Sequence, residues 1–425
     1  MKKLIFILAV LAVTIPINAQ WVPLNLGTTV TLESMAVTDA NTVYIVGGDP
    51  PSTFVNLKTT NGGLNWFSFA GSSSGGVSVY FLNVNTGFLD GITTIQRTTN
   101  AGNNWTTVYT APDTAVFLAF HFPNANTGYG VGFVYSPFQQ QILNSAAIKT
   151  TNGGLSWTRL AQPISGANNE LKDVFFTDAN TGYAVGWGDN TVNILLKTTN
   201  GGNNWNSIGP TYSGSEMYSV KFTDANTGYV GGSSQIGLLK TTNAGLSWNN
   251  IYTTGYPRIT DTYFINANTG FAIGDDGIMR TDNAGLIWTN QNSTYTNNVL
   301  KQIRFYGNDV GYVTGKNGLM LKTINGGIGI INISSEIPSS YSLQQNYPNP
   351  FNPTTKIRFD IPKSENVTIK VFDMLGKEIS TMVSQQLQPG TYEAEWDASA
   401  YSSGIYYYKI TSGSFTQTKK MVVVR

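Results

Sequence analysis

The chain has no cysteine, one histidine, and only 12% charged residues in its 425 positions. Without thiols there is no cysteine nucleophile, no cysteine-ligated zinc and no disulfide, so packing must supply the stability. The single imidazole, His121, lies in the Phe-rich run Phe117–Phe122 and reads as a core or channel residue rather than a base. No Ser-His-Asp set and no phosphate-cradling loop stands out. Basic and acidic residues balance at 25 against 24. With no Lys/Arg run to neutralise phosphates, nucleic acid is not an expected partner.

Long apolar runs are missing too, except at the start. There Lys2 and Lys3 precede an apolar stretch from Leu4 to Ile15 and the small-residue end Ile17-Asn18-Ala19. This reads as a secretory signal peptide over residues 1–19, too short for a membrane span, with cleavage expected after Ala19. The mature chain is expected to be soluble and monomeric, with no transmembrane segment, no cofactor and no metal. An exported protein without cysteines fits a bacterial source.

Glycine and aromatic residues are plentiful, at 45 glycines and 12% aromatics. Much of that supply sits in one phrase, Lys149-Thr150-Thr151-Asn152-Gly153-Gly154-Leu155-Ser156-Trp157. Related copies begin at Lys58, Arg97, Lys197, Lys240, Arg280 and Lys322, with successive starts 39, 52, 48, 43, 40 and 42 residues apart. A second phrase, Asp178-Ala179-Asn180-Thr181-Gly182, recurs upstream of each copy between two apolar strands, and its Asx and Gly residues are turn formers. Each unit therefore reads as a four-stranded meander, and a period near forty implies a β-propeller with one motif per blade.

Closure can be read as well. The last copy has Ile330 where Trp is expected, and Trp21-Val22-Pro23-Leu24 looks like an orphan fourth strand. The fold class expected is all-β: a seven-bladed propeller over residues 20–331, closed by the N-terminal strand, a linker at 332–340, and a small C-terminal β-sandwich at 341–425. Deleting residues 20–26 is expected to lower the melting temperature by several degrees.

Thr-x-Asn-x-Gly-x-x-Trp resembles the Asp-box, or bacterial neuraminidase repeat, with Asn in place of Asp in all seven copies. Paired with Asn-Thr-Gly-Tyr-x-Val-Gly, it most resembles propellers of the photosystem II stability/assembly factor type. Asn still accepts turn hydrogen bonds, so the resemblance implies the fold, with no calcium role. The words Tyr347–Thr355, Val371–Lys377, Gly390-Thr391-Tyr392, Ser403–Tyr406 and Lys419–Val423 resemble the type A C-terminal sorting domain of type IX secretion, also called the Por secretion signal. That resemblance implies a Bacteroidetes-type source, the type IX machinery as a partner for residues 341–425, and a secreted or cell-surface product.

Both repeated phrases are first and third turns, so every variable loop falls on the opposite face, where recognition normally sits. Phe133, Tyr135, Phe138 and Trp187 are candidates for an aromatic platform there, with Tyr256 and Arg258 on the crossings between blades. A glycan or protein ligand bound on this face is the expected function. A glycoside hydrolase would need paired carboxylates; Asp49, Asp90, Asp189, Asp275 and Asp276 fall near one blade position, and Asp189, Asp275 and Asp276 are its catalytic candidates. An assembly-factor-like chaperone is the third reading. The residues favour a binding module over an enzyme.

Overall fold

The computed structural model describes residues 21–424, apart from 50–52, 72–76, 165, 167, 189–191, 253–256, 293–294, 296–298, 325, 327–329, 335 and 399–400. Among the described residues every regular element is a strand. The chain folds as two units, one spanning Trp21–Ile328 and the other beginning at Gly329.

In the first unit the strands form seven four-stranded sheets, matching in number the seven motif copies. The innermost strands of blades 1 to 7 are Leu32–Val37, Ser78–Phe81, Ala115–His121, Glu170–Phe176, Met217–Phe222, Ile259–Phe264 and Leu300–Tyr306. Six sheets are meanders of consecutive strands. The seventh takes its fourth strand from the other end of the unit: Val22–Leu24 pairs antiparallel with Met320–Thr323, Val22 opposite Lys322. This pairing fits the closure read from Trp21.

The motif builds its own turn. Thr150 Oγ1 donates to Asn152 Oδ1 at 2.8 Å and accepts the Gly154 N–H at 3.0 Å, while Asn152 Oδ1 accepts the Ser156 N–H at 3.1 Å. The same threonine–asparagine bond recurs in the copies beginning at Lys58, Arg97, Lys197, Lys240 and Arg280. Such local side-chain bonds satisfy turn backbone that no ladder can reach.

The motif also ties blade to blade. Its first residue bonds the carbonyl of the fifth motif residue of the next blade: Lys58 to Ala101, Arg97 to Gly153, Lys149 to Gly201, Lys197 to Ala244, Lys240 to Ala284, Arg280 to Gly326 and Lys322 to Gly62, at 2.5–3.2 Å. The last bond runs from blade 7 back to blade 1. In the five lysine blades the ammonium lies over a second-strand tyrosine (Tyr44, Tyr129, Tyr183, Tyr229 or Tyr312), 5.0–5.5 Å from the ring centroid. Each of those tyrosines donates its hydroxyl to a carbonyl of the next blade. The two arginine blades carry Phe88 and Phe271 at that place. A phenylalanine offers no hydroxyl, and the guanidinium of Arg280 directs its remaining donors to Asp282 of its own motif.

Aromatic rings fill the gaps between blades. The second-strand ring of one blade stacks on a phenylalanine ending the inner strand of the next, as Tyr44 does on Phe81 (4.1 Å) and Tyr183 on Phe222 (4.0 Å). The motif tryptophan then meets that phenylalanine edge-on, as in Trp105–Phe81, Trp157–Phe122, Trp205–Phe176, Trp248–Phe222 and Trp288–Phe264. Trp21, 1% exposed, makes the same edge contact with Phe305 at 5.8 Å. It occupies in blade 7 the position that the motif tryptophans hold elsewhere.

The second unit is two four-stranded sheets. One runs Ile330–Ser334, Gly390–Asp397, Thr354–Ile361, Ser342–Leu343, and the other Glu378–Leu387, Glu365–Phe372, Gly404–Ser412, Phe415–Val423. Its alternating buried positions, such as Ile357, Phe359 and Ile361, form the core. Two details differ from the sequence reading. Residues 330–334, divided there between propeller and linker, form a strand paired with Gly390–Asp397. The strand Glu378–Leu387 was not anticipated, because its Ser, Thr and Gln residues blur the apolar alternation.

Candidate functional site

The seven inner strands surround a channel with a cavity of about 990 Å³. Seven identical strands would leave a ring of inner-strand N–H groups short of partners. Instead, each blade sends a side chain to its neighbour. Ser34 Oγ accepts the Val79 N–H, Asp90 Oδ2 the Phe117 N–H, His121 Nδ1 the Phe176 N–H, Asp173 Oδ2 the Val220 N–H, Asp261 Oδ2 the Ile303 N–H and Gln302 Oε1 the Met35 N–H. Between blades 5 and 6 the hydroxyls of Ser219 and Thr262 bond at 3.2 Å. All seven junctions are bridged, three by aspartate and the others by serine, histidine, glutamine and a serine–threonine pair.

These roles set the electrostatics. Because His121 Nδ1 accepts a bond, its proton sits on Nε2. Burial, and then the nearby Lys221 charge, push its pKa down to about 3, so it stays neutral. Burial pushes the Asp90 carboxyl well above its usual range. Asp173 is paired with Lys221 (2.6 Å) and Asp261 with Arg304 (2.5 Å), so both channel carboxylates hold a cation and a backbone N–H.

One mouth of the channel gathers the starts of the inner strands, next to the turns between second and third strands. Here the blades differ most. Blades 2 and 3 present Val77 and Leu118; blades 4 to 7 and blade 1 present Glu170 and Lys172, Glu216 and Tyr218, Arg258, Lys301 and Glu33. Glu170 Oε2 accepts both the Trp187 indole N–H (2.7 Å) and the Lys172 ammonium (2.8 Å). Lys301 pairs with Glu33 at 3.2 Å. Burial, then the Glu216 charge, push the Tyr218 hydroxyl up to about 12. The mouth thus has an apolar arc and a longer arc of alternating donors and acceptors.

The residues singled out by sequence are scattered relative to this mouth. Arg258 lines it, and Trp187, on the second strand of blade 4, reaches it through its bond to Glu170. Phe133 and Tyr135 are half-buried on the strand Gly128–Ser136 of blade 3, and Phe138, at the tip of that hairpin, is 98% exposed. Among the described residues these rings make no ring contact with Trp187 or with one another. Tyr256 and Asp189 lie outside the described residues. Asp275 accepts the Arg258 N–H at 3.4 Å and Asp276 the Tyr252 hydroxyl at 3.0 Å, so both tie the hairpin joining Gly270–Gly274 to Gly277–Thr281 to the segment that leads into the inner strand of blade 6. Asp90 is fully buried at the junction of blades 2 and 3 and does not line the cavity. Sequence reading missed Asp173, Asp261, Glu170 and Glu216; their signal is a charged residue inside an otherwise apolar inner strand, or at its start.

Residues 345–424 match the family described as the secretion system C-terminal sorting domain, and residues 150–257 match photosynthesis system II assembly factor YCF48. No curated protein matches the sequence. Among solved structures, YCF48 from Cyanidioschyzon merolae aligns with a TM-score of 0.55 at 20% identity, over 71% of this chain and 98% of that one. An ancestral GH74 enzyme aligns with a TM-score of 0.56 at 14% identity, over 94% of this chain and 63% of its own length. The GH74 enzyme of Niastella koreensis gives 0.52 at 15%, over 80% and 59%. Identities this low speak to fold alone. The sorting-domain match supports export by type IX secretion. The chain thus holds a β-propeller with YCF48-like repeats over residues 150–257 and a secretion system C-terminal sorting domain over residues 345–424.

Proposed function

We propose that this is a secreted or cell-surface binding module whose propeller takes a glycan or protein ligand at the channel mouth facing away from the motif turns. The observation that carries the reading is the divergence of the inner strands at that mouth. The repeat keeps its tryptophan, threonine and asparagine from blade to blade, yet the mouth collects Glu170, Lys172, Glu216, Arg258 and Lys301 around one opening, with Trp187 bonded to Glu170 beside it. A cavity of about 990 Å³ lies at the upper end of the usual range for a ligand pocket. The channel carboxylates Asp173 and Asp261 are each engaged by a cation and a backbone N–H, which favours binding over acid–base chemistry.

The test is a glycan and peptide array probed with the full-length protein, followed by an activity screen on every ligand retained. Binding without turnover, weakened at least tenfold by Trp187→Ala in a variant that melts like the wild type, is the expected result. Turnover of a bound glycan, or binding indifferent to Trp187, would overturn the reading.

A further inference from the structure

Arg258 differs from the other cations of the mouth. Lys172 is paired with Glu170 and Lys301 with Glu33, whereas among the described residues Arg258 has no ion pair, and its Nε is buried without a hydrogen-bond partner. An unpaired buried donor carries a desolvation cost that any acceptor drawing the guanidinium into the cavity would relieve. The backbone that carries it is held in place. Asp275 bonds the Arg258 backbone from both directions, Arg258 N to Asp275 Oδ2 and Asp275 N to Arg258 O (3.0 Å). The guanidinium lies close enough to Tyr218 to act on its hydroxyl, and Tyr218 is in turn bonded to Glu216.

From this we infer that the ligand is an acidic saccharide, a uronate-bearing glycan, whose carboxylate is drawn to Arg258. The inference rests on the binding-module reading above and narrows it. Planar two-pronged donors match carboxylates better than a lysine point charge does. The neighbouring Glu216–Tyr218 and Glu170–Lys172 pairs each offer an acceptor beside a donor, the pattern that bonds sugar hydroxyls, and Trp187 adds an aromatic edge. A peptide fits less well. An extended peptide would add to the exposed edge of an inner strand through backbone bonds, but N–H groups of those strands are already held by Ser34, Asp173, Asp261 and Gln302 of the adjoining blades.

The experiment is calorimetric titration of the full-length protein with oligomers of galacturonate, glucuronate and mannuronate, each beside its methyl-esterified, uncharged form. At least one oligouronate should bind, and esterification should weaken it about tenfold to a hundredfold, the worth of a charged hydrogen bond. Arg258→Ala should abolish the discrimination between charged and esterified forms, and Arg258→Lys should restore part of it, with melting temperatures unchanged. The inference is overturned if no oligouronate binds, if the esters bind equally well, or if the discrimination survives in Arg258→Ala. Capture only of peptides with a free C-terminal carboxylate would overturn it as well. Neutral glycans bound in a Trp187-dependent way would sink the carboxylate inference while leaving the binding-module reading intact.

Discussion

Two layers of the propeller obey opposite rules. In the layer of second and third strands and motif turns, the same contacts recur: a cation grips the next blade's turn, an aromatic ring stacks across the gap, and a tryptophan closes it edge-on. In the innermost layer the task is equally repetitive, since each strand needs a bridge to its neighbour, yet serine, aspartate, histidine and glutamine all perform it. Where repetition serves packing, the residues are kept because ring shapes and bond lengths admit few substitutes. Where a hydrogen-bond acceptor of any type suffices, the identity is free to vary, and charge can then be placed to suit a ligand.

The outer layer breaks most easily at its seam. Deleting residues 20–26 removes the fourth strand of blade 7, and Trp21→Ala alone should cost about 3–5 kcal/mol, as expected for a fully buried aromatic. Thermal unfolding checks both, and an unchanged midpoint in either would refute the closure. The inner layer should respond to acid. His121 has a folded pKa of about 3 against an ordinary value near 6.5. Between those values the unfolded chain binds a proton that the folded chain refuses, so stability is intact above about pH 6.5 and falls as pH drops toward 3. His121→Asn keeps an acceptor and should remove a loss on the order of 4 kcal/mol at pH 3; denaturant titrations of both proteins from pH 7 to 3 would show parallel curves if the idea is wrong.

A smaller effect sharpens the Tyr/Lys and Phe/Arg pairing. Tyr229→Phe should cost about 1 kcal/mol, and adding Lys240→Arg should return about half of that. Strict additivity in the double-mutant cycle would mean that the two pairings are unrelated. Smallest of all, Phe138→Ala at the exposed hairpin tip should change stability by no more than about 0.5 kcal/mol, so any loss of ligand binding in that variant would be direct.

The outer layer was legible in the sequence because its residues repeat in register, and the missing last tryptophan even pointed to Trp21. Turn positions also told which face the variable loops share. The mouth itself was only half visible. Trp187 and Arg258 stood out as a lone tryptophan and a rare arginine, but Glu170, Lys172 and Glu216 are single residues whose meaning depends on six other strands converging beside them. The aspartates Asp275 and Asp276 drew attention because they fall at the blade position of a possible carboxylate pair, and both are engaged by the segment leading into the inner strand of blade 6. In the C-terminal unit, Ile330–Ser334 was misassigned because a five-residue edge strand carries too little alternation to separate from a linker.

The pairing of Val22 with Lys322 has a kinetic side. These partners are separated by 300 positions, the longest separation the propeller could require. Blade 7 therefore cannot be completed until nearly the whole repeat array has emerged from the ribosome. Until then Val22–Leu24 has no edge to join. Open strand edges of this kind invite pairing between chains. The late seam keeps an open strand edge on the nascent propeller, and once closed it leaves neither end of the ring free to unravel.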